Sequence, residues 1–214
     1  MQAEIIRIHK GDFMNKNSRI VFDTFKFILT AKAKESTRYG LDRILIENSN
    51  IVATNGRILF FAYFKHKYPI GLYEVITNTA TEIILLKEPD NGVMTFPKWR
   101  EVVPEHTDYF EKDSYDGKFV VHATTVLASK KIAIDYCYVE KIAAIETYWK
   151  IFYGNSEQPI RFVSDNNKDY HYEAIVMPFN AGFDEIIFNK TEKPIKVEDL
   201  EKQISPEELV ESKV

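Results

Sequence analysis

Catalysis needs titratable or nucleophilic side chains held close together, and the residues able to supply them are few and scattered. The five histidines, His9, His66, His106, His122 and His171, include no pair with the spacing of a zinc site on a helix or turn. Each reads as a surface or packing residue. "SDNNKD" (164–169) offers oxygen ligands but lacks the glycine and closing glutamate of a calcium loop, and reads as a hairpin turn. The sequence has no glycine-rich phosphate loop and no Gly-x-Ser-x-Gly elbow. Cys137 is the single cysteine, so neither an intramolecular disulfide nor a thiolate metal cluster can form. Between Tyr136 and Tyr138 it reads as a small buried residue, not a nucleophile. Asp/Glu pairs are numerous, and none is singled out. These residues point to a protein that is not an enzyme and needs no cofactor and no metal.

One stretch asks for another explanation: "NIVATNGRILFF" (50–61). Asn-Gly between two apolar runs predicts a hairpin with a two-residue type I′ turn, because both residues tolerate positive φ. A turn needs only that pair, yet Thr54 and Arg57 flank it.

The elements around this turn follow from periodicity. Residues 3–10 predict a strand. Asn17 to Lys34 predict a helix capped by Asn17 or Ser18, with Val21, Phe22, Phe25, Ile28 and Leu29 as its apolar stripe. Its opposite, mostly basic face carries Arg19, Asp23, Lys26, Thr30 and Lys34. Strands are expected at 41–48, 50–54 and 57–64, and one or two more within 71–89. Pro97 and Pro104 make 95–106 an irregular link. "DSYDGK" (113–118) marks a turn, "FVVHATTVLASKKIAI" (119–134) reads as two strands, 136–150 as a second helix lined by Tyr138, Ile142, Ile145 and Trp149, and 158–165 and 170–178 as strands. The expected fold class is α+β, with antiparallel sheets and two helices packed on one side. The expected organisation is a body, 1–180, of two similar halves (1–94 and 107–180) joined by 95–106, and a peripheral or partly disordered tail, 181–214.

Charge separates the same two regions. The 214 residues carry a net charge of −4. The tail has nine acidic and five basic residues, which leaves 23 of each sign in residues 1–180. A neutral body excludes a charge-driven general nucleic-acid binder but leaves room for a local basic face. With 15 Phe and 12 Tyr, the chain suits wide packed sheets. No apolar run is long enough to cross a bilayer and no signal peptide is evident, so the expected setting is cytoplasmic, away from membranes.

Three segments together carry a resemblance. "STRYGLDRILIENSNIVATNGRILFF" (36–61) resembles the signature of bacterial sliding clamps, the β subunit of DNA polymerase III, in which an arginine-rich loop and a strand precede a Val-Ala-Thr-Asp-Gly-His-Arg-Leu turn. "FPKWREVVP" (96–104) is similar to that family's link between second and third domains, and "YEAIVMPF" (172–179) to its C-terminal Tyr-Val-Val-Met-Pro-Met strand. The resemblance covers most of 3–180 and implies a DNA-clamp-like fold, with the second and third domains compressed. It departs from the family at several points. Asn55 and Ile58 replace an acidic and a basic residue. The stretch from Phe64 to Phe96 is too short for the rest of a second domain. Residues 105–135 lack the helix expected to open a third.

Position by position, the resemblance implies a groove for short linear motifs of replication and repair proteins. It would be lined by Leu41, Thr54, Gly56, Arg57, Leu59, Pro97, Val102, Ile175, Met177 and Pro178. An apolar pocket with a flexible methionine suits leucine and phenylalanine side chains of an extended peptide. The resemblance also implies Lys26, Lys32, Lys34 and Arg38 facing double-stranded DNA, touching only its backbone without sequence preference. The expected function is that of a sliding-clamp-like processivity factor, non-enzymatic, encircling DNA as a homo-oligomer. Two alternatives stay open: a clamp-derived interaction module or competitor that does not encircle DNA, and an enzyme on an α+β scaffold.

Overall fold

The computed structural model describes residues 4–10, 16–35, 39–89, 94–115, 117–145, 147–164 and 170–179. Alternating outer strands and apolar central ones make ten strands among the described residues: β1 Ile5–His9, β2 Arg43–Ile46, β3 Asn50–Thr54, β4 Ile58–Phe64, β5 Gly71–Asn78, β6 Glu82–Lys87, β7 Tyr109–Asp113, β8 Tyr148–Phe152, β9 Ile160–Ser164 and β10 Tyr170–Val176. They form one antiparallel sheet in the order β1-β6-β5-β2-β3-β4-β10-β9-β8-β7. Three helices, α1 Lys16–Leu29, α2 Phe119–Ser129 and α3 Tyr136–Ala143, pack on one face of it.

The two halves follow one path: strand, helical segment, then a three-strand meander. In the second half the strands lie in chain order, β7-β8-β9-β10. In the first, the hairpin β5–β6 is inserted between β1 and β2. The meander ends β4 and β10 pair with each other, so the halves share one sheet. The halves on either side of 95–106 thus share one sheet, and the described residues up to 179 fall in one compact unit.

Helix α1 buries Phe22, Phe25, Phe27, Ile28 and Leu29 against the sheet. Phe27 stacks on Phe60 of β4 with ring centres 4.3 Å apart, and meets Tyr172 of β10 edge-on. Thr24 Oγ1 donates to the Ile20 carbonyl and lies 2.9 Å from the buried Tyr172 hydroxyl. The helix begins at Lys16, so Asn17 and Ser18 fall inside its first turn, and it ends at Leu29, ahead of the expected Lys34.

Two expectations fail in the second half. Residues 119–129 form a helix, not strands. Val120, Val121, Thr124, Thr125 and Val126 favour a strand locally, but Phe119, Ala123 and Leu127 are buried while Val121 and Thr125, which would share their face in a strand, are exposed, as a helix requires. Thr124 Oγ1 bonds back to the Val120 carbonyl, and Lys131 at φ 61° closes the helix with the Ile132 N–H on the Leu127 carbonyl. The helix missing from 105–135 in the sequence reading is this one, which raises the helix count among the described residues to three. Helix α3, capped by Asp135 Oδ1 on the Cys137 N–H, stops at Ala143 instead of reaching 150. Ser114 ends it by taking the Thr147 N–H and donating to the Ile145 carbonyl, and Trp149 then enters β8.

If α2 is helical as described, Val121 faces solvent and Leu127 the core. Val121→Ser should change unfolding free energy by less than about 0.5 kcal/mol, and Leu127→Ala should cost about 2–5 kcal/mol, both read from urea titrations.

Candidate functional site

The sheet face opposite the helices holds a second, smaller core. Val52 of β3, Leu59 and Phe61 of β4 and Ile175 of β10 are buried there with Trp99, and Leu45, Phe96 and Val103 pack against them. Strand register explains the grouping. Leu59 lies opposite Thr54 on one side and Ile175 on the other; Phe61 lies opposite Val52 and Glu173. Trp99 comes from a short 3-10 turn, Trp99–Val102, in the link, and its ring centre is 4.7 Å from that of Phe61.

The hairpin at 55–58 is tighter in chemistry and longer in residues than the sequence suggested. β3 ends at Thr54 and β4 begins at Ile58, leaving Asn55, Gly56 and Arg57 between them; the Asn55 N–H donates to the Ile58 carbonyl at 3.2 Å, and only Gly56 has positive φ (86°). Asn55 Oδ1 accepts from the N–H groups of Arg57 and Ile58. Thr54 Oγ1 accepts from the Gly56 N–H and donates to the Ile58 carbonyl. The two side chains supply the acceptors that a type I′ backbone would not need.

Of the expected groove residues, Leu59 and Ile175 meet in this cluster and Thr54 is buried beside them. Met177 joins the rim, its N–H donating to the Arg57 carbonyl at 2.8 Å. Gly56, Arg57, Val102 and Met177 are exposed, while Pro97 and Pro178 are half-buried. Leu41 is half-buried in the turn before β2, where its carbonyl accepts from the Ala33 N–H, outside the cluster. Sequence reasoning missed Val52, Phe61 and Trp99. The first two are the strand-period neighbours of Thr54 and Leu59, and that spacing was the available signal.

Two arginine–glutamate pairs border the cluster. Arg100 Nη1 and Nη2 donate to Glu47 at 2.9 and 2.6 Å, and its guanidinium lies 4.3 Å from the centre of the Trp99 ring. The hydrogen bond from Arg100 holds the Glu47 carboxyl below its ordinary range. Arg161 Nε and Nη2 donate to Glu173 at 2.6 and 3.0 Å, and His171 Nε2 lies 3.0 Å from Glu173 Oε1. Burial pushes the Glu173 carboxyl up, but the bonds from His171 and Arg161 outweigh it and hold it low.

The helix face carries a cleft of about 930 Å³ between α1 and α3, lined by Arg19, Asp23, Lys26, Glu140 and Lys141 over a floor of Phe27 and Tyr172. Both charge signs are present. Lys26 Nζ donates to Asn78 Oδ1 and the Thr79 carbonyl, which fastens α1 to the β5–β6 turn, and Lys32 Nζ donates to the Ala33 carbonyl. Lys34 is exposed; Arg38 and the 165–169 turn lie outside the described residues, as does the 181–214 tail. Cys137 is exposed at this cleft, not buried as expected, and the nearby Asp135 carboxylate raises its thiol pKa. Among the described residues no three His, Cys, Asp or Glu side chains are placed to hold a metal ion, and no helix is long and apolar enough to cross a membrane.

A shared antiparallel sheet, helices on one face and a small apolar seam at the inter-half strand pair define a DNA-clamp fold: the chain has the fold of the bacterial sliding clamps, the β subunits of DNA polymerase III. The particular structures it matches include the clamp of Pseudomonas aeruginosa, at 13% identity and a TM-score of 0.54 over 82% of this chain and 66% of that one. The Thermotoga maritima β subunit matches at 13% identity and 0.52, over 84% of this chain and 66% of that one. The Caulobacter crescentus subunit matches at 12% and 0.53, over 83% and 66%. This chain thus spans about two-thirds of the clamps it resembles. A Pseudomonas aeruginosa clamp of this fold has been solved bound to griselimycin. No protein-family model and no curated protein sequence matches the chain.

Glu173 is 3% exposed, so Glu173→Gln should lower stability at neutral pH by about 2–3 kcal/mol by leaving Arg161 without its carboxylate. A carboxyl held low in the fold stabilises above its unfolded pKa, and that contribution is lost as pH falls through its folded pKa. The variant should therefore lose less stability than the wild type on acidification in that window, measured by urea unfolding across pH.

Proposed function

We propose that the chain is a sliding-clamp-like, non-enzymatic accessory protein of DNA replication or repair, which holds short peptide motifs of its partners along the seam between β4 and β10. The observation that carries this reading is the meeting of segments distant in sequence: Leu59, Ile175 and the link, with Met177 hydrogen-bonded to the turn at Arg57. An apolar strip with an exposed methionine at its rim suits an extended peptide with leucine or phenylalanine anchors. Arg57 forms no ion pair with a described residue, and so offers a contact to a peptide carboxylate.

Encircling DNA, in this reading, is the work of a homo-oligomer. Among the described residues β1 and β7 are the open edges of the sheet. On the seam face β1 carries Ile5, Arg7 and His9, and β7 carries Tyr109, Glu111 and Asp113. Their directions allow β7 of one copy to pair antiparallel with β1 of the next, helices on the same side, with Arg7 opposite Glu111. Such head-to-tail pairing closes into a ring when the rotation per copy permits. The reading places the protein in the cytoplasm, without a cofactor, contacting double-stranded DNA through backbone phosphates only.

The mixed charge of the α1–α3 cleft favours a second reading, an interaction module that does not encircle DNA. A clamp stays on circular DNA and slides off linear DNA at low salt, with a ring visible in solution. A monomer that binds peptide and leaves both DNA forms alone supports the module. For the groove itself, Met177→Asp should weaken binding of a Gln-Leu-x-Leu-Phe type peptide at least about tenfold by placing a charge at the apolar rim; unchanged affinity by calorimetry removes the groove assignment.

A further inference from the structure

The seam that would receive a peptide is already filled. Val52, Leu59, Phe61 and Ile175 are each no more than 4% exposed, and Trp99, itself 3% exposed, packs with them. The segment carrying Trp99 is fastened in an unusual way. At one end the Gly40 N–H donates to the Thr95 carbonyl at 3.0 Å; at the other, His106 Nε2 lies 2.8 Å from the Pro159 carbonyl. Between them, the backbone hydrogen bonds of 97–103 among the described residues are all local: Trp99 to Pro97, Glu101 to Lys98 and Val103 to Arg100. None crosses to the sheet. Side chains alone hold this strap down: Phe96, Trp99 and Val103 against the seam, and Arg100 on Glu47. The Arg100 side chain is 59% exposed, so that ion pair is a weak fastener. Lifting the strap opens no strand ladder, and Pro97 and Pro104 bound it with stiff ends.

Resting on the groove reading above, we propose that Trp99 is a built-in plug of the groove. In the free protein the strap lies down with the indole on Phe61. A partner peptide enters when the strap lifts and an apolar side chain of the peptide takes the indole's place over Leu59, Phe61 and Ile175. The plug sets a specificity as well as a threshold. An incoming peptide must bring an anchor large enough to refill an indole-sized site, and a basic residue beside that anchor recovers the contact that Glu47 loses from Arg100. Apparent affinity in the wild type is lowered by the fraction of time the strap is closed.

The test is peptide binding by calorimetry with the Gln-Leu-x-Leu-Phe type probe. Trp99→Ala removes the plug and should raise affinity at least about tenfold. Arg100→Ala and Glu47→Gln unfasten the strap but keep the indole, and should raise it about two- to fivefold. Trp149 is the other of the two tryptophans, so Trp149→Phe leaves Trp99 as the sole indole; saturating peptide should shift its emission to the red as it enters water. Binding by the wild type that is unchanged or weaker in Trp99→Ala and Arg100→Ala, without a red shift, overturns the plug and leaves the groove standing. No binding by the wild type, Arg100→Ala or Trp99→Ala overturns groove and plug together.

Discussion

The structure depends on the pairing of β4 with β10. Seven residue pairs in register, from Ile58 opposite Val176 to Phe64 opposite Tyr170, join the two halves into one sheet. The same two strands feed both cores. Ile58, Phe60, Ala62 and Phe64, with Tyr172, Ala174 and Val176, face the helices, while Leu59, Phe61 and Ile175 face the seam. A slip of one residue would exchange these sets and put Phe60 where Phe61 now meets Trp99. The buried contact of Tyr172 with Thr24 and the two-point grip of Arg161 on Glu173 oppose such a slip, one on each face of β10.

The seam shows how polar and apolar forces divide the work of shaping a surface. Its floor is aliphatic and aromatic, and burial of that area supplies the cohesion. Its borders are ionic. Tyr63 stands beside both arginine–glutamate pairs, and burial with the nearby Glu173 carboxylate raises its hydroxyl pKa. The inner pair, Arg161–Glu173, is locked into the sheet and orients β9 on β10. The outer pair, Arg100–Glu47, ties the 95–106 link to the end of β2 without adding to the ladder. Similar chemistry therefore fixes one element and only tethers the other, because their burial differs.

Much of this was legible in the sequence where one face of a strand is polar. β2 and β9 alternate clearly, and the Asn55-Gly56 turn marks off the apolar runs of β3 and β4 on either side of it. The apolar stripe of α1 was equally plain. The α2 segment was not, because β-branched residues occupy its wet face and the spacing of Phe119, Ala123 and Leu127 suits one face of a strand as well as one face of a helix. Trp149 was misplaced for a related reason: its spacing continues the stripe of α3, while the break comes from Ser114, more than 30 residues away, a constraint no local pattern contains. At the site, Leu59 and Ile175 were found through a resemblance and then brought together by register. Trp99 was passed over because an irregular link gives no periodicity from which burial can be read.

The long-range pairing at the centre of the sheet also bears on how the protein is made. β4 and β10 are more than 100 residues apart in the chain, so during translation the apolar edge of β4 emerges well before its partner exists. Until β10 arrives, Phe60 and Phe61 sit on an open strand edge of the kind that pairs with other chains. Stalled or shortened products ending before Tyr170 would leave that edge unpaired and be prone to aggregate.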